Sequence, residues 1–306
     1  MLFAAIPYFQ IPVVYVPLPG TFELPIDPWA TMVCIGFIAG LEVARYRAIK
    51  LGLDVRDIVD GSVVTVLSGF FFAHIFTVFF YYPERMKFRE MKLALDNGAT
   101  QDFFSFGYEG FMSLVRVWEG FASTGGFIGA VIGSALFYLA YRKVGYWRHA
   151  DCITYGFPIG WFFGRVGCGV VHDHIGSKTD FFLAMDFGEK MGIRHELGLY
   201  EAAYMVVVSA VFLYLGKKDR PPGFFLASFA VAYAPLRFVL DFLRNSDLSA
   251  PDARYFGLTP AQYGMIIMFF AGIWVIYRLK KVEFAPWPMD GKPNQEERAL
   301  QPAKEQ

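Results

Sequence analysis

The chain has 306 residues, of which 55% are hydrophobic, 19% aromatic and 18% charged. Soluble proteins carry roughly 25% charged and 45–50% apolar residues, so this balance excludes a disordered chain and argues against an ordinary water-soluble enzyme. Its 28 basic and 28 acidic residues cancel and leave no field to attract a polyanion, so nucleic acid is not expected as a partner.

In chain order, residues 1–28 contain no Lys or Arg and lack the basic start of a removable signal peptide; they are expected as an extracytoplasmic N-terminal segment. A bilayer core about 30 Å thick takes a helix of about 20 apolar residues. Seven runs approach that length: Trp29–Ile49, Ile58–Tyr82, Ser123–Tyr141, Cys152–Val171, Leu199–Leu215, Gly223–Leu243 and Ala261–Arg278. Every second link is basic, with Arg45, Arg47, Lys50 and Arg56; Arg142, Lys143 and Arg148; Lys217, Lys218 and Arg220; and Arg278, Lys280 and Lys281. Positive-inside asymmetry then puts the N-terminus outside and the C-terminus in the cytoplasm. The expected fold is an all-α integral membrane protein with seven transmembrane helices over residues 29–281 and a polar, disordered cytoplasmic tail over 282–306. An outer arm, 83–121, interleaves Arg85, Lys87, Arg89 and Lys92 with Glu84, Glu90 and Asp96, which predicts a short amphipathic surface helix. Neither a repeat of 20–50 residues nor an inverted pair of interrupted helices is visible, so a solenoid or repeat-built transporter gains no support.

Charges inside the apolar runs stand out. Arg165 falls near mid-depth of the fourth run, where an unpartnered Arg costs on the order of 2.5–3.5 kcal/mol on insertion scales. The sixth run holds Arg237, Asp241 and Arg244, and the first two, four residues apart, share a helix face and can pair. A plain structural bridge is the alternative for that pair. Glycines recur at small-xxx-small spacing in the fourth run (Gly160, Gly164, Gly167, Gly169) and the third (Gly125, Gly126, Gly129, Gly133), and helix packing accounts for most of them. A guanidinium among close-packed glycines can also hold a phosphate, and phospholipid is the phosphate compound abundant at that depth.

His172, Asp173 and His174 follow at the outer mouth of the fourth run, where imidazoles can act as acid or base and a carboxylate can orient them. A metal is not expected, because adjacent residues diverge and no third ligand accompanies them at a recognisable spacing. His195 precedes the fifth run on the same side, with Glu201 six residues later. His74 is expected as a core histidine bonded to a neighbouring helix, and His149 as a surface residue at the cytoplasmic end. Cys34, Cys152 and Cys168 form neither a disulfide framework nor a C-x-x-C motif, and Cys168 is expected to pack.

Four segments, RVWEGFASTGGFIG, GRVGCGVVHDHIG, RHELGLYE and LRFVLDFLRNSD, together resemble the prolipoprotein diacylglyceryl transferases of the bacterial cytoplasmic membrane over roughly Pro28–Lys281. The resemblance implies transfer of diacylglyceryl from phosphatidylglycerol to a lipobox cysteine of a prolipoprotein, with glycerol phosphate released and no cofactor required. It implies that Arg165, flanked by Gly164 and Gly167, holds the headgroup, with Gly125, Gly126, Tyr233, His195 and Arg244 lining it. Arg237 matches a second essential arginine, Asp241 stands where the family has glutamate, Tyr200 and Glu201 match the end of a family segment, and Gly176 closes the signature. The departures are Thr124 in place of the family's histidine, Cys168 and Val171 in place of asparagines, Asp173 in place of glutamate, and Ala73-His74 in place of a glycine-arginine pair. On the enzyme reading, His172 or His174 supplies the missing histidine, and the catalytic set is His172, Asp173, His174, Arg237 and Asp241. The alternative is a non-catalytic or re-purposed phospholipid-binding or transport protein on the same fold.

Overall fold

The computed structural model describes residues 5–19, 23–81, 89–94, 100–105, 108–116, 120–248, 252–281, 283–286, 289–290 and 292. Most of the tail expected to be disordered lies outside them.

All seven apolar runs form long helices: α1 (Pro28–Leu51), α2 (Val55–Phe80), α4 (Ser123–Ala135, continued by a π-helical segment Leu136–Arg142), α5 (Tyr146–Val171), α6 (Leu197–Leu215), α7 (Phe224–Leu240, with a 3₁₀ turn Asp241–Leu243) and α8 (Pro260–Leu279); a shorter α3 (Tyr108–Val115) precedes α4. Five of them, α2, α4 with its π segment, α6, α7 with its 3₁₀ turn, and α8, are long and apolar enough to cross a membrane. α1 and α5, with 24 and 26 residues, are as long but less apolar over their length. Local sequence sets the ends. The Asp27 carboxylate accepts a bond from Ala30 N–H with Pro28 in the first turn, and α1 stops at Gly52, whose φ of 69° suits a residue without Cβ. Thr259 and Gln262 close a capping box at the start of α8.

Glycines decide which helices touch. Where a Cβ would stand on Gly36, Gly40, Gly156 or Gly160 lies backbone of the facing helix, so α1 and α5 cross backbone to backbone. Gly125, Gly129 and Gly133 of α4 press on Phe72, Phe76 and Ser68 of α2 in the same way. A buried cluster of Tyr155, Met205, Val208, Phe212, Phe225, Phe229, Tyr233 and Met265 joins α5, α6, α7 and α8. The opposite faces expose Leu67, Phe71, Ile267, Phe270 and Trp274, as a lipid-facing surface does.

The connections are not all helical or irregular, as an all-α fold would have them. Strands β1 (Ile6–Pro7), β7 (Met185–Asp186), β8 (Ile193–Glu196) and β6 (Ile175–Lys178) form a four-stranded sheet in the order β1-β7-β8-β6, and β2 (Val14–Pro17) pairs with β3 (Glu23–Ile26). Within 83–121, where an amphipathic helix is expected, the described residues instead form β4 (Arg89–Ala94) paired antiparallel with β5 (Thr100–Ser105), ahead of the short α3. Arg89, Glu90 and Lys92 lie in β4, whose charged and apolar residues alternate from Glu90 to Leu93, a period of two; Glu84, Arg85, Lys87 and Asp96 lie outside the described residues. His149 is a second correction: it is completely buried, stacked near Tyr138, with Nε2 4.0 Å from Asp57, because the start of α5 packs beneath the π segment. His74 meets expectation, its Nε2 lying 3.0 Å from the Ser113 carbonyl.

Candidate functional site

The site is built where α5, α6 and α7 converge. Arg165, Glu201 and Arg237 come one from each helix, and all are buried. Arg165 Nε lies 2.7 Å from Glu201 Oε2, and Arg237 Nε lies 3.2 Å from Glu201 Oε1. Tyr233 donates its hydroxyl proton to Glu201 Oε2 at 2.9 Å, and its oxygen accepts from Trp161 Nε1 at 3.3 Å and from Arg165 Nη2 at 3.5 Å. The Arg165 guanidinium sits over the Trp161 ring, 4.6 Å from its centroid. Arg237 Nη1 also donates to Asp241 Oδ1 at 2.6 Å, the i,i+4 pair read from sequence, and Thr259 donates to the other oxygen of Asp241. Two guanidinium groups thus share one central carboxylate. Glu201 Oε1 and Arg237 Nε are close, yet neither makes a directed hydrogen bond. That contact is held by charge alone, and a better-shaped anion could take it.

At the C-terminal end of α5 the chain reverses. His172 adopts the left-handed conformation at φ 54°, and Asp173 N–H reaches back to the Cys168 carbonyl at 3.4 Å. Leu197 N–H then fixes the His174 carbonyl at 3.2 Å. The reversal lays Asp173 and His174 over Cys168, so one donor atom from each falls within 4.8 Å of the others. Cys168 is therefore the third donor that sequence spacing did not reveal. A cation already faces this group: Arg165 Nη1 is 3.1 Å from His174 Nε2 and 4.0 Å from Cys168 Sγ. His174 Nδ1 bonds the Asp173 carboxylate. Burial works against charging His174, but the Asp173 carboxylate and Cys168 raise it to about 9. Burial likewise acts to raise Asp173, and the His174 interaction outweighs it and holds that carboxyl below its usual range.

Other residues singled out from sequence lie elsewhere. His172 spends both nitrogens on structure: Nδ1 faces Glu196 Oε2 at 3.2 Å and Nε2 meets the Phe9 carbonyl at 2.6 Å, with the Tyr8 ring 4.8 Å away. His195 meets the Tyr200 hydroxyl at 3.1 Å, and burial lowers its pKa. Arg244 pairs with Asp252 and, through its backbone, with Gly176. Gly125 packs on α2, Gly126 approaches Ala73 and Gly69 of the same helix, Gly167 meets Trp29 and Met32 of α1, and Gly164 faces open space. Thr124 is buried against Gly264 of α8, with no hydrogen bond to its hydroxyl among the described residues. Sequence reasoning left three partners out of the site: Glu201 at its centre, Trp161 and Thr259. The available signal for Glu201 was the acid itself, near the start of a 19-residue apolar helix.

Fold and site together define a polytopic membrane protein that buries two arginines from different helices against one glutamate. A model of the prolipoprotein diacylglyceryl transferase family matches residues 19–278, and the chain belongs to that family. It is 29% identical over 261 residues to a phosphatidylglycerol–prolipoprotein diacylglyceryl transferase of Solidesulfovibrio magneticus, covering 82% of this chain and 89% of that one. Enzymes of the same name from Campylobacter curvus and Erythrobacter litoralis are 32% identical over 165 residues and 33% over 176. Those two matches span 53% and 55% of this chain, and 59% and 62% of the relatives' own length.

Proposed function

We propose that the protein transfers the diacylglyceryl group of phosphatidylglycerol to a lipobox cysteine of a prolipoprotein and releases glycerol phosphate, working in the bacterial cytoplasmic membrane. In this reading all seven long helices cross the bilayer, with residues 1–28 outside and the tail in the cytoplasm, so the site lies toward the outer leaflet. The observation that carries it is the pair Arg165 and Arg237 converging on Glu201, with the Arg237 contact misaligned. A phosphodiester entering there exchanges a poorly directed carboxylate contact for forked donors from two helices.

The chemistry follows from the remaining groups. A thiol reacts as its thiolate. His174 Nε2 takes the thiol proton while Asp173 holds Nδ1 and sets the ring's orientation. Sulfur attacks the glyceryl carbon that bears the phosphate ester; a C–S bond forms, the C–O bond breaks, and its electron pair stays on the phosphate oxygen. Arg165 and Arg237 neutralise the growing charge in a site shielded from water. The proton then leaves His174 for glycerol phosphate or water. Asp241, itself bonded by Thr259, fixes Arg237. Purified protein given labelled phosphatidylglycerol and a lipobox peptide is expected to yield diacylglyceryl peptide, and its gene to rescue a strain depleted of this activity. Folded protein that transfers nothing would sink the reading.

One observation favours the second reading, a phospholipid-binding protein without transfer. Thr124 stands where the resemblance places a histidine, and its hydroxyl has no hydrogen bond among the described residues. Thr124→His would separate the two: activity appearing only in that variant means that catalysis has lapsed in the native chain.

A further inference from the structure

His174 has two neighbours that make opposite demands. On one side Asp173 bonds Nδ1, which fixes a proton there. On the other, Arg165 Nη1 lies 3.1 Å from Nε2. Arginine carries only donors, so a second ring proton would set N–H against N–H at that distance. With Arg165 in place the Nε2 lone pair is occupied, and the cation holds the ring below the basicity that the Asp173 carboxylate alone would confer. Among the described residues, the other charged or titratable groups around it are Cys168 on α5, Glu196 at the end of β8, and Glu201 on α6, which also holds Arg165.

Resting on the transferase reading, we infer that Arg165 caps the catalytic nitrogen of His174 in the empty protein and that a lipid phosphate, by drawing the guanidinium to itself, uncaps it, so the lipid must bind before the acceptor thiol can be deprotonated. The phosphate oxygens and Nε2 compete for the same Arg165 protons, and the anion is the stronger acceptor. Uncapped, the ring keeps Asp173 and reaches the basicity that this carboxylate confers. The device has a chemical purpose: no competent base is exposed to a thiol until a diacylglyceryl donor is seated. Asp173 and His174 reach Arg165 through the left-handed turn at His172.

The test is nitrogen NMR of the full-length protein, labelled at histidine, in nanodiscs of phosphatidylcholine and then of phosphatidylglycerol, with no peptide present so that no turnover occurs. The chain has five histidines, and His174→Gln assigns the signal of interest. In phosphatidylcholine, the expected His174 ring keeps the lower titration midpoint of the capped state. In phosphatidylglycerol its titration midpoint rises by about 1–3 units, the size expected when a neighbouring cation is withdrawn. His172 and His195, on the same outer side, share only the smaller common shift due to the anionic surface. In Arg165→Ala the high midpoint is expected in both lipids. A His174 shift no larger than that of His172 and His195 would overturn the inference, as would an Arg165→Ala midpoint no higher than that of the native chain in phosphatidylcholine. Transfer assays on His174→Gln keep the two ideas apart: full activity there removes His174 as the base, whereas lost activity with an unmoved midpoint leaves the base and removes the cap.

Discussion

The protein buries charge at two levels of its helix bundle, and the two clusters are built differently. Near the basic links, Asp57 of α2 meets Arg142 at the end of the π segment, Tyr138 donates to the Asp57 carbonyl at 3.0 Å, and His149 bonds the Gly145 carbonyl at 2.8 Å. One carboxylate there meets one guanidinium, and the neighbouring side chains bond backbone carbonyls of α2 and of the residue that precedes α5. At the other end, two guanidiniums share Glu201, Arg237 without a directed hydrogen bond, and His174 is a further acceptor facing Arg165. The first arrangement locks helix ends together. The second holds more donor capacity than its protein partners use, which is what a ligand site requires, because a buried charge that is fully satisfied by protein has nothing left to offer an anion.

Substitutions should separate the lock from the site, and the largest effect is expected at Arg165. Removing a preorganised donor to developing charge costs on the order of 10²–10³ in rate, and Arg165→Ala also loses lipid affinity, so transfer measured with labelled phosphatidylglycerol should vanish while membrane insertion persists. Next comes His174→Gln, expected to lower kcat by about 10²-fold, within the range for loss of a general base. His172→Ala should leave the chemistry intact and loosen only the N-terminal segment, detected as faster proteolysis near Phe9. Near-normal rates for His174→Gln with lost activity in His172→Ala would reverse the two roles.

The pH dependence gives a finer cut. The Asp173 carboxylate raises His174 to about 9, so peptide kcat/KM should climb with pH toward that value as the ring loses its second proton. Asp173→Asn removes the cause of the upward shift: the climb should finish at lower pH, with a reduced plateau. Tyr233→Phe deletes one hydrogen bond to Glu201 and, at about 1 kcal/mol, should cost roughly fivefold in activity. Smallest in activity is Asp57→Asn in the lock. It should lower the melting temperature, with a loss of about 1–3 kcal/mol, less than for a fully enclosed pair because Arg142 is 29% exposed, and leave transfer below the transition unchanged.

The same contrast explains what the sequence disclosed. Long apolar runs with basic links are a strong, additive signal, and every run became a helix. Charge inside such a run is equally visible, which is why Arg165, Arg237 and Asp241 stood out. Glu201 did not, because its meaning depends on two helices that meet it from distant parts of the chain. The Asp173–His174–Cys168 group was hidden for another reason: helical spacing separates these residues, and only the left-handed turn at His172 folds them together. Gly125 and Gly126 were legible as close-approach positions but not as to which helix approaches, and the approach is from α2. Strands of two to six residues, such as β7 and β4, are too short to impose a readable pattern, and His149 looked exposed because charged neighbours surround it in sequence while Tyr138 and Asp57 cover it in space.

The most direct measurement of the central claim is a single-turnover reaction of purified protein in phosphatidylglycerol nanodiscs with a lipobox peptide, following both the peptide and released glycerol phosphate by mass spectrometry. The account predicts equal amounts of diacylglyceryl peptide and glycerol phosphate from the native chain, and neither from Arg165→Ala. Folded native protein that binds phosphatidylglycerol and forms neither product would contradict it.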